Sequence, residues 1–377
     1  MLVRVAILLG IALPLLLSAR PEDRMSVDRM SPGPLVEWIV ALQERGPESE
    51  GALAMHADAS FVLDGEGSRH VVPYFSNLAV AALLEADPSP RSREVAELWI
   101  DWFLDRVGPE GVPVEHWVGM KRGLELTCPA RFPTQPSVDR CEAIDATDSA
   151  ASTFLILLAA YHRAGGSEAF LRQREVQVRE VAQTLLDLQD TDGLTIARTD
   201  YPVKYLMDNA ETVAGLRAVA SLDHEVFEGE QRAVYKDAAD RAADGLATLL
   251  DPETGLYAWA KLPDDSLESA RLDRWYADAV AQVWPLVFEV TDAIGGYRQL
   301  DAAWDGSTQP DWALHRDASG FAWPVLGLAA HRAGDRAAAQ RQADALWQRH
   351  VGSRSAGPFT VADAGWLLRT VAALEAG

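Results

Sequence analysis

Apolar residues recur every three to four positions along most of the chain, in long runs separated by turns that contain glycine. This spacing is typical of amphipathic helices, and no series of regularly spaced strands interrupts it. The pattern therefore predicts an all-α body. The predicted helices span residues 33–45, 75–87, 91–107, 146–164, 167–190, 203–222, 226–250, 270–291, 296–305, 318–333, 335–350 and 360–375.

Glycine-containing turns give the first indication of how these helices are arranged. The segments HRAGG at 162–166 and HRAGD at 331–335 have the glycine expected just beyond a helix end, and each predicts a short turn between antiparallel helices. A weak repeat is also present, in which a helix is followed by an acidic turn, a glycine, a short apolar stretch and the next helix. It occurs at 104–117, 186–198 and 249–260, and more loosely at 353–366. The repeating unit is therefore a helical hairpin followed by a longer loop.

Pairing each helix with its neighbour gives five hairpins and leaves the first and last helices to pair with each other. One set of helices is rich in small and apolar residues, which suits an inner ring packed on both sides; these helices begin near residues 75, 146, 203, 270, 318 and 360. Those beginning near 91, 167, 226 and 335 have one polar face, which suits an outer ring. We predict a single (α/α)6 toroid over residues 31–377. An open α-solenoid is the alternative, and the unpaired first and last helices favour closure.

The amino terminus differs from the rest of the chain. Arg4 precedes an apolar run from Val5 to Leu17, which is typical of a secretory signal and short for a membrane span. No clean small-residue cleavage site precedes Arg20, so residues 1–20 are predicted to be a signal peptide or an uncleaved membrane anchor. Either interpretation predicts export, to the periplasm or the extracellular space, with membrane contact only through this segment.

The two cysteines, Cys128 and Cys141, lie in one proline-rich loop. In an exported protein such a pair predicts a disulfide bond. No histidine pattern accompanies them, so the sequence predicts no zinc site, and we expect no cofactor.

The 377 residues have a formal net charge of -22. This acidic balance argues against a nucleic-acid partner and, more weakly, against polyanionic substrates. Segments typical of phosphate-binding loops, dinucleotide-binding folds and serine hydrolases do not occur. The sequence makes no prediction about oligomeric state.

Candidate chemistry is concentrated where inner helices begin. In such a toroid the inner helices run in one direction, so their amino ends meet the long loops at one opening, here called the mouth. Asp145 and Asp148 open the helix at 146, where capping is the simpler explanation for acidic residues. Lys204, Asp208 and Glu211 open the helix at 203, where a buried ion-pair network is the alternative.

Aromatic residues recur at the same predicted rim. Flat apolar rings stack on the C–H faces of sugars, while carboxylates and amides bind the hydroxyl groups. The candidate substrate-binding residues are Asp145, Lys204, Glu211, Arg274, Asp278, Tyr74, Asn77, Trp117, Trp275 and Trp323.

Glycoside hydrolysis requires two carboxyl groups, one acting as acid and the other as base or nucleophile. We predict that Asp148 and Asp208 form this pair, because they begin neighbouring inner helices. Glu115 and Asp363 are further candidates.

Three helix openings, EAIDATDSAASTFL, DYPVKYLMDNAE and RWYADAVAQVWP, resemble those of the six-hairpin glycosidase-like superfamily. The helix order over about residues 31–377 is similar to it as well. The resemblance implies an (α/α)6 fold, an oligo- or polysaccharide substrate and glycoside hydrolase activity. Because the superfamily also contains lyases and epimerases, those activities are alternatives, as is a non-catalytic toroid that binds a glycan or a protein.

Overall fold

The computed structural model describes residues 30–47, 49–56, 68–119, 125–126, 144–317, 320–352 and 359–376. Thirteen α-helices are present in these residues: α1 (Pro32–Ala41), α2 (Pro73–Ala86), α3 (Pro90–Leu104), α4 (Thr147–Arg163), α5 (Glu168–Arg172), α6 (Glu175–Leu188), α7 (Leu206–Glu225), α8 (Arg232–Ala247), α9 (Trp284–Val287), α10 (Gly295–Ala303), α11 (Val325–Arg332), α12 (Arg336–Leu346) and α13 (Val361–Ala376).

The helices form two concentric rings. The inner ring consists of α2, α4, α7, α9 with the helical turns before it, α11 and α13; each contacts the next, and α13 contacts α2 to close the circle. In the outer ring α3, α6, α8, α10 and α12 each contact the inner helix that precedes them, and α1 contacts α13. This closure confirms the predicted (α/α)6 toroid and all six predicted hairpins, and it excludes the open solenoid.

The repeated acidic turns adopt one common conformation. Gly111, Gly193 and Gly255 all have positive φ angles, of 78°, 87° and 69°. In each turn the glycine amide donates to a backbone carbonyl three or four residues earlier. Residues other than glycine rarely adopt such φ angles, which explains why a glycine recurs at this place in the repeat.

Two inner helices differ from their predicted extents. The segment predicted as one helix over 270–291 consists of a π-helical turn (Trp275–Ala279), a 3₁₀ turn (Val280–Val283) and α9. Tyr276 has an extended backbone, with φ −107° and ψ 134°, and Pro285 cannot donate a helical hydrogen bond. The helix predicted over 318–333 begins only at Val325, immediately after Pro324.

The sequence did not predict the two small antiparallel sheets that extend the loops. One sheet contains β1 (Ser68–Val71), β2 (His116–Gly119) and β3 (Glu125–Leu126), and the other contains β4 (Lys204–Tyr205), β5 (Ala260–Lys261) and β6 (Leu267–Glu268). β1 leads directly into α2 and β4 into α7, so both sheets lie at the mouth. The start of the helix predicted at 203 is therefore a strand.

Several predictions concern residues outside the described ranges. These include the signal or anchor segment at 1–20 and the disulfide between Cys128 and Cys141, which stay predictions. Over the described ranges, none of the helices has the length and the apolar character that crossing a bilayer would require.

Candidate active site

Asp148 lies at the start of α4 and is fully buried. Its Oδ1 atom accepts a hydrogen bond from the Ser149 amide at 2.9 Å, and its Oδ2 atom accepts one from the Thr195 hydroxyl at 2.7 Å. Thr195 is itself fixed by Asn209 of α7, whose Oδ1 atom accepts from the Thr195 amide at 2.7 Å. Burial raises the pKa of Asp148 to about 7, against the lowering effect of the Thr195 and Ser149 hydrogen bonds.

Glu211 of α7 is also fully buried, and three donors surround its carboxyl group. Tyr74 donates to Oε1 at 2.7 Å, Trp284 donates to Oε1 at 3.0 Å, and the Ser149 hydroxyl donates to Oε2 at 2.6 Å. Burial, followed by the charge of Asp208, raises the pKa of Glu211 to about 8. The Glu211 carboxyl group thus joins four elements of the inner ring.

Asp208 differs from these two because it has an unused oxygen. It is 9% exposed, and its Oδ2 atom is buried without a hydrogen-bond partner among the described residues. Burial raises its pKa well above the usual value, and the charges of Asp148 and Asp145 raise it further. A buried carboxyl oxygen without a partner is costly to the fold, and such groups are commonly found where a ligand binds.

The three carboxyl groups form one cluster, here called the carboxylate cluster (Asp148, Asp208 and Glu211). Among the described residues, no lysine or arginine forms an ion pair with any of them. Because like charges this close cannot all ionise, the cluster holds at least one proton at neutral pH. It therefore provides a proton donor beside two further carboxyl groups.

An aromatic pair adjoins the carboxylate cluster. Tyr276 stacks on Trp323 with ring centroids 4.8 Å apart and planes inclined by 21°, and Trp323 in turn contacts Trp284, edge to face. Trp284 is the donor to Glu211, so the aromatic contacts lead directly to the carboxyl groups. Tyr276 lies near enough for the charges of Asp208, Asp145 and Glu211 to raise its pKa, which burial and these charges bring to about 12.

A second aromatic pair, Tyr205 and Trp259, lies beside the start of α7. Tyr205 immediately precedes α7, and its ring lies parallel to that of Trp259 with centroids 6.1 Å apart. The hydroxyl groups of Tyr205 and Tyr201 are 3.1 Å apart. The charge of Asp208 contributes to raising the pKa of Tyr205, which places that hydroxyl near the carboxylate cluster.

Several predicted site residues are found at this place. Asp148, Asp208 and Glu211 form the carboxylate cluster, Tyr74 contacts Glu211, and Trp323 belongs to the aromatic pair. Asp145 is exposed and lies within electrostatic range of Asp208. Arg274 is exposed beside the π-helical turn.

The polar groups of Asn77 and Lys204 bind other residues of the protein. Asn77 is fully buried: it donates to Ala150 O and Thr153 Oγ1 on α4 and accepts from Trp99 Nε1 at 2.9 Å, which uses both of its donor hydrogens. Lys204 is 6% exposed, and its ammonium group donates to Asp190 and Asp192 at 2.8 and 2.9 Å. The ion-pair alternative considered for Lys204 is therefore the one that the structure shows.

Trp275 and Asp278 are likewise enclosed. Trp275 is 8% exposed and packs against Trp304 and His315, with ring centroids 4.6 and 4.7 Å away, so little of its ring is accessible to a sugar. Asp278 is 4% exposed and accepts a hydrogen bond from the Arg271 amide at 2.9 Å, which fixes the loop before the π-helical turn.

The remaining candidates lie farther around the mouth or outside the description. The side chain of Trp117 is not among the described parts of the structure. Glu115 is paired with His70 at 2.7 Å, and His116 packs edge-on against Trp102. Asp363 caps α13 by accepting from Thr360, and burial raises its pKa to about 6.

Several contributors to the site were not among the predicted residues, including Thr195, Tyr205, Tyr276 and Trp284. The sequence places Tyr205 three residues before Asp208 and Tyr276 beside Trp275, so both were within segments already selected. Thr195 and Trp284 could not be selected, because their contacts to Asp148 and Glu211 join different hairpins. Across the described ranges no group of three histidine, cysteine or acidic side chains is arranged to hold a metal ion.

No protein-family model and no curated protein sequence matches this chain. Solved structures do match it. An alpha-amylase from Clostridium perfringens has a TM-score of 0.59 at 10% sequence identity, covering 94% of this chain and 99% of that one. A protein described as a glycosidase has a TM-score of 0.62 at 14% identity, covering 90% and 95% of the two chains.

A third similar structure is a GH63 mannosylglycerate hydrolase from Thermus thermophilus, solved in complex with glucose. Its TM-score is 0.57 at 15% identity, with 89% of this chain and 98% of that chain covered. At these identities the similarity establishes the fold. It confirms that the chain has the six-hairpin architecture that glycosidases adopt, as the helix openings predicted.

Proposed function

We propose that the protein is a glycoside hydrolase in which Asp208 is the carboxyl group that reacts with the substrate. The observation that supports this most is the buried, unpartnered Oδ2 atom of Asp208 beside two other protonatable carboxyl groups. A raised pKa favours the protonated form of such a group, which is the form that protonates a glycosidic oxygen. The glycosidases of the same fold add support by analogy.

Asp148 was predicted as the second catalytic carboxyl group, and its surroundings suggest a different role. Both of its oxygens accept hydrogen bonds and the residue is fully buried, so a substrate has no direct access to it. Its charge raises the pKa of Asp208 instead. We therefore propose that Asp148 and Glu211 are positioning residues, which fix α4 and α7 around Asp208 through their hydrogen bonds to Thr195, Ser149, Tyr74 and Trp284.

The partner of Asp208 is then one of two other carboxyl groups at the mouth. Asp145 lies on the same side of the ring, whereas Asp363 begins α13, which is three inner helices away from α7 around the ring. Carboxyl groups about 5 Å apart act with retention, and those about 6.5–9.5 Å apart act with inversion. Identifying the partner would therefore also predict the stereochemical outcome.

The test is to assay the wild-type protein and Asp208→Asn on a panel of oligosaccharides and nitrophenyl glycosides. We expect Asp208→Asn to lose at least about a thousandfold in kcat, because an amide cannot donate a proton to the leaving oxygen. Its melting temperature should be unchanged or higher, since the substitution removes a buried carboxyl group without a partner.

Asp240→Asn is the matched control, because Asp240 lies on the outer helix α8 and pairs with Lys236 at the surface. It should retain full activity. Full activity in Asp208→Asn would refute the assignment. If the wild-type protein releases no product from any glycan of the panel, the hydrolase proposal itself fails. The second catalytic carboxyl group is then identified by comparing Asp145→Asn with Asp363→Asn, because only the variant that removes this group should have a lower kcat.

The proposed substrate is an oligo- or polysaccharide, and the proposed location is outside the cytoplasm. The location rests on the apolar segment at residues 5–17 of the sequence. Mass spectrometry of the protein purified from its native host would show whether residues 1–20 have been removed or retained.

A further inference from the structure

We propose that Tyr276 and Trp323 form a stacking subsite for one uncharged sugar ring beside Asp208. This inference rests on the proposed function only in placing the subsite beside a catalytic carboxyl group. A sugar can bind at the subsite whether or not it is then hydrolysed. It assigns Tyr276, which had no predicted role, to substrate recognition.

The first argument is the open face of Tyr276. The residue is 57% exposed, although its ring is stacked on Trp323 at 4.8 Å. One face is covered by Trp323, so the exposed area belongs mainly to the opposite face and the edge. An aromatic ring with one supported face and one open face is what stacking against a pyranose requires.

The second argument is that Trp323 is held rigidly in a costly backbone conformation. Its φ angle is 50°, in the left-handed region that residues other than glycine rarely adopt. The indole nitrogen donates to Asp317 at 3.1 Å, and Gln342 of α12 donates to the carbonyl of Trp323 at 3.2 Å. These contacts fix the support of Tyr276 before any ligand arrives, which lowers the entropic cost of binding.

The third argument concerns charge. Tyr276 lies within electrostatic range of Asp208, Asp145 and Glu211, and among the described residues no lysine or arginine is paired with Asp208 or Glu211. The groups that a bound sugar meets there are carboxyl oxygens and tyrosine hydroxyls, which bind the hydroxyl groups of a neutral sugar. A uronate would place its carboxylate near Asp145, Asp208 and Glu211. We therefore expect it to bind more weakly than the neutral sugar, even though Arg274 is exposed two residues before Tyr276.

The experiment uses monosaccharides, which contain no glycosidic bond to hydrolyse. Glucose, mannose and galactose are each compared with the uronic acid that differs only at C6, by calorimetry or saturation-transfer NMR on the full chain. We expect at least one neutral sugar to bind, and its uronate to bind at least about tenfold more weakly.

Variants test whether the neutral sugar binds at the pair of Tyr276 and Trp323. Tyr276→Phe keeps the ring and should bind the neutral sugar within about threefold of the wild-type protein, whereas Tyr276→Ala should bind it about tenfold more weakly. Val176→Ala removes an exposed apolar side chain on α6, which is 71% exposed, and should bind normally. Melting temperatures of all three variants show whether a loss of binding reflects a loss of folding.

The outcomes separate this inference from the proposed function. Equal binding by wild-type and Tyr276→Ala, binding of none of the neutral sugars, or tighter binding of a uronate would each overturn the subsite. Sugar binding that depends on Tyr276 in a protein without hydrolase activity would support the subsite and refute the hydrolase proposal.

Discussion

Gly215 of α7 lies directly against Ser152 of α4, so closely that a Cβ atom at position 215 would be 2.7 Å from the Ser152 Cα atom. These two helices carry all three members of the carboxylate cluster. The close approach of their backbones therefore sets the separation of Asp148 from Asp208 and Glu211.

Gly215→Ala is expected to destabilise the protein by about 1–3 kcal/mol, because the added methyl group forces α4 and α7 apart. Chemical denaturation measures this change. Any activity that remains should show a shifted pH profile, since the spacing of the carboxyl groups changes with the helices.

Gly33→Ala is the matched control, as Gly33 lies in α1 and a Cβ atom there meets nothing within 4 Å. Replacing a helical glycine by alanine at an open position is neutral or stabilising by about 0.5–1 kcal/mol. Equal effects of the two substitutions would contradict the close approach.

The stability of the protein is expected to fall as the pH rises from about 5 to 8. Burial raises the pKa of Asp148 to about 7 and that of Glu211 to about 8, above their usual values of 3.8 and 4.5. Over this range the unfolded chain has lost these protons while the folded protein retains them, so rising pH favours unfolding. Melting temperatures measured across the range at constant ionic strength test the prediction.

Glu211→Gln separates this effect from the titration of other groups. The variant has no proton to lose at this position, so its melting temperature should decline less between pH 5 and 8, by about 2 °C or more. A decline as steep as that of the wild-type protein would show that Glu211 is ionised in the folded state throughout.

Lys204→Met is expected to lower stability by about 1–3 kcal/mol while leaving KM unchanged. The ammonium group is buried, but its partners Asp190 and Asp192 are partly exposed, so the cost is below the roughly 3–5 kcal/mol of breaking a fully buried pair. Lys236→Met, which breaks an exposed pair with Asp240, should leave stability almost unchanged. A raised KM in Lys204→Met at unchanged stability would indicate that Lys204 binds the substrate.

Asn77→Ala is expected to cost about 1–3 kcal/mol, because the buried Trp99 indole nitrogen loses its acceptor. Denaturant unfolding measures this loss, and steady-state kinetics should give an unchanged KM. Gln340→Ala removes an exposed amide on α12 that bonds only Asp344, and it should have almost no effect. A changed KM in Asn77→Ala would mean that the amide reaches the substrate.

The sequence predicted the ring because its determinants are local. The glycines of the HRAG turns, Gly165 and Gly334, have φ angles of 76° and 82°, so each ends its helix as expected from the neighbouring residues alone. Helix pairing then followed from turn lengths. The break at Tyr276 was not predictable in this way, because the apolar pattern continues unchanged through the segment.

Part of the site was also predictable from the local sequence. Asp208 and Glu211 begin an inner helix, and position in the helix was enough to select them. Whether a buried polar residue faces a ligand or binds another protein residue depends on which residues of the other hairpins lie beside it. Asn77 meets Trp99, and Lys204 meets Asp190, and neither contact is visible in the local pattern.

The closure of the ring by α13 also constrains how the protein is made. Arg369 and Glu85, which pair across that closure, are separated by 284 positions in the chain. During synthesis one apolar face of α2 therefore remains exposed to solvent until almost the whole chain has left the ribosome. The helices that carry the carboxylate cluster can associate long before that moment, whereas Trp323 is synthesised much later. The carboxylate cluster can therefore form before the pair of Tyr276 and Trp323.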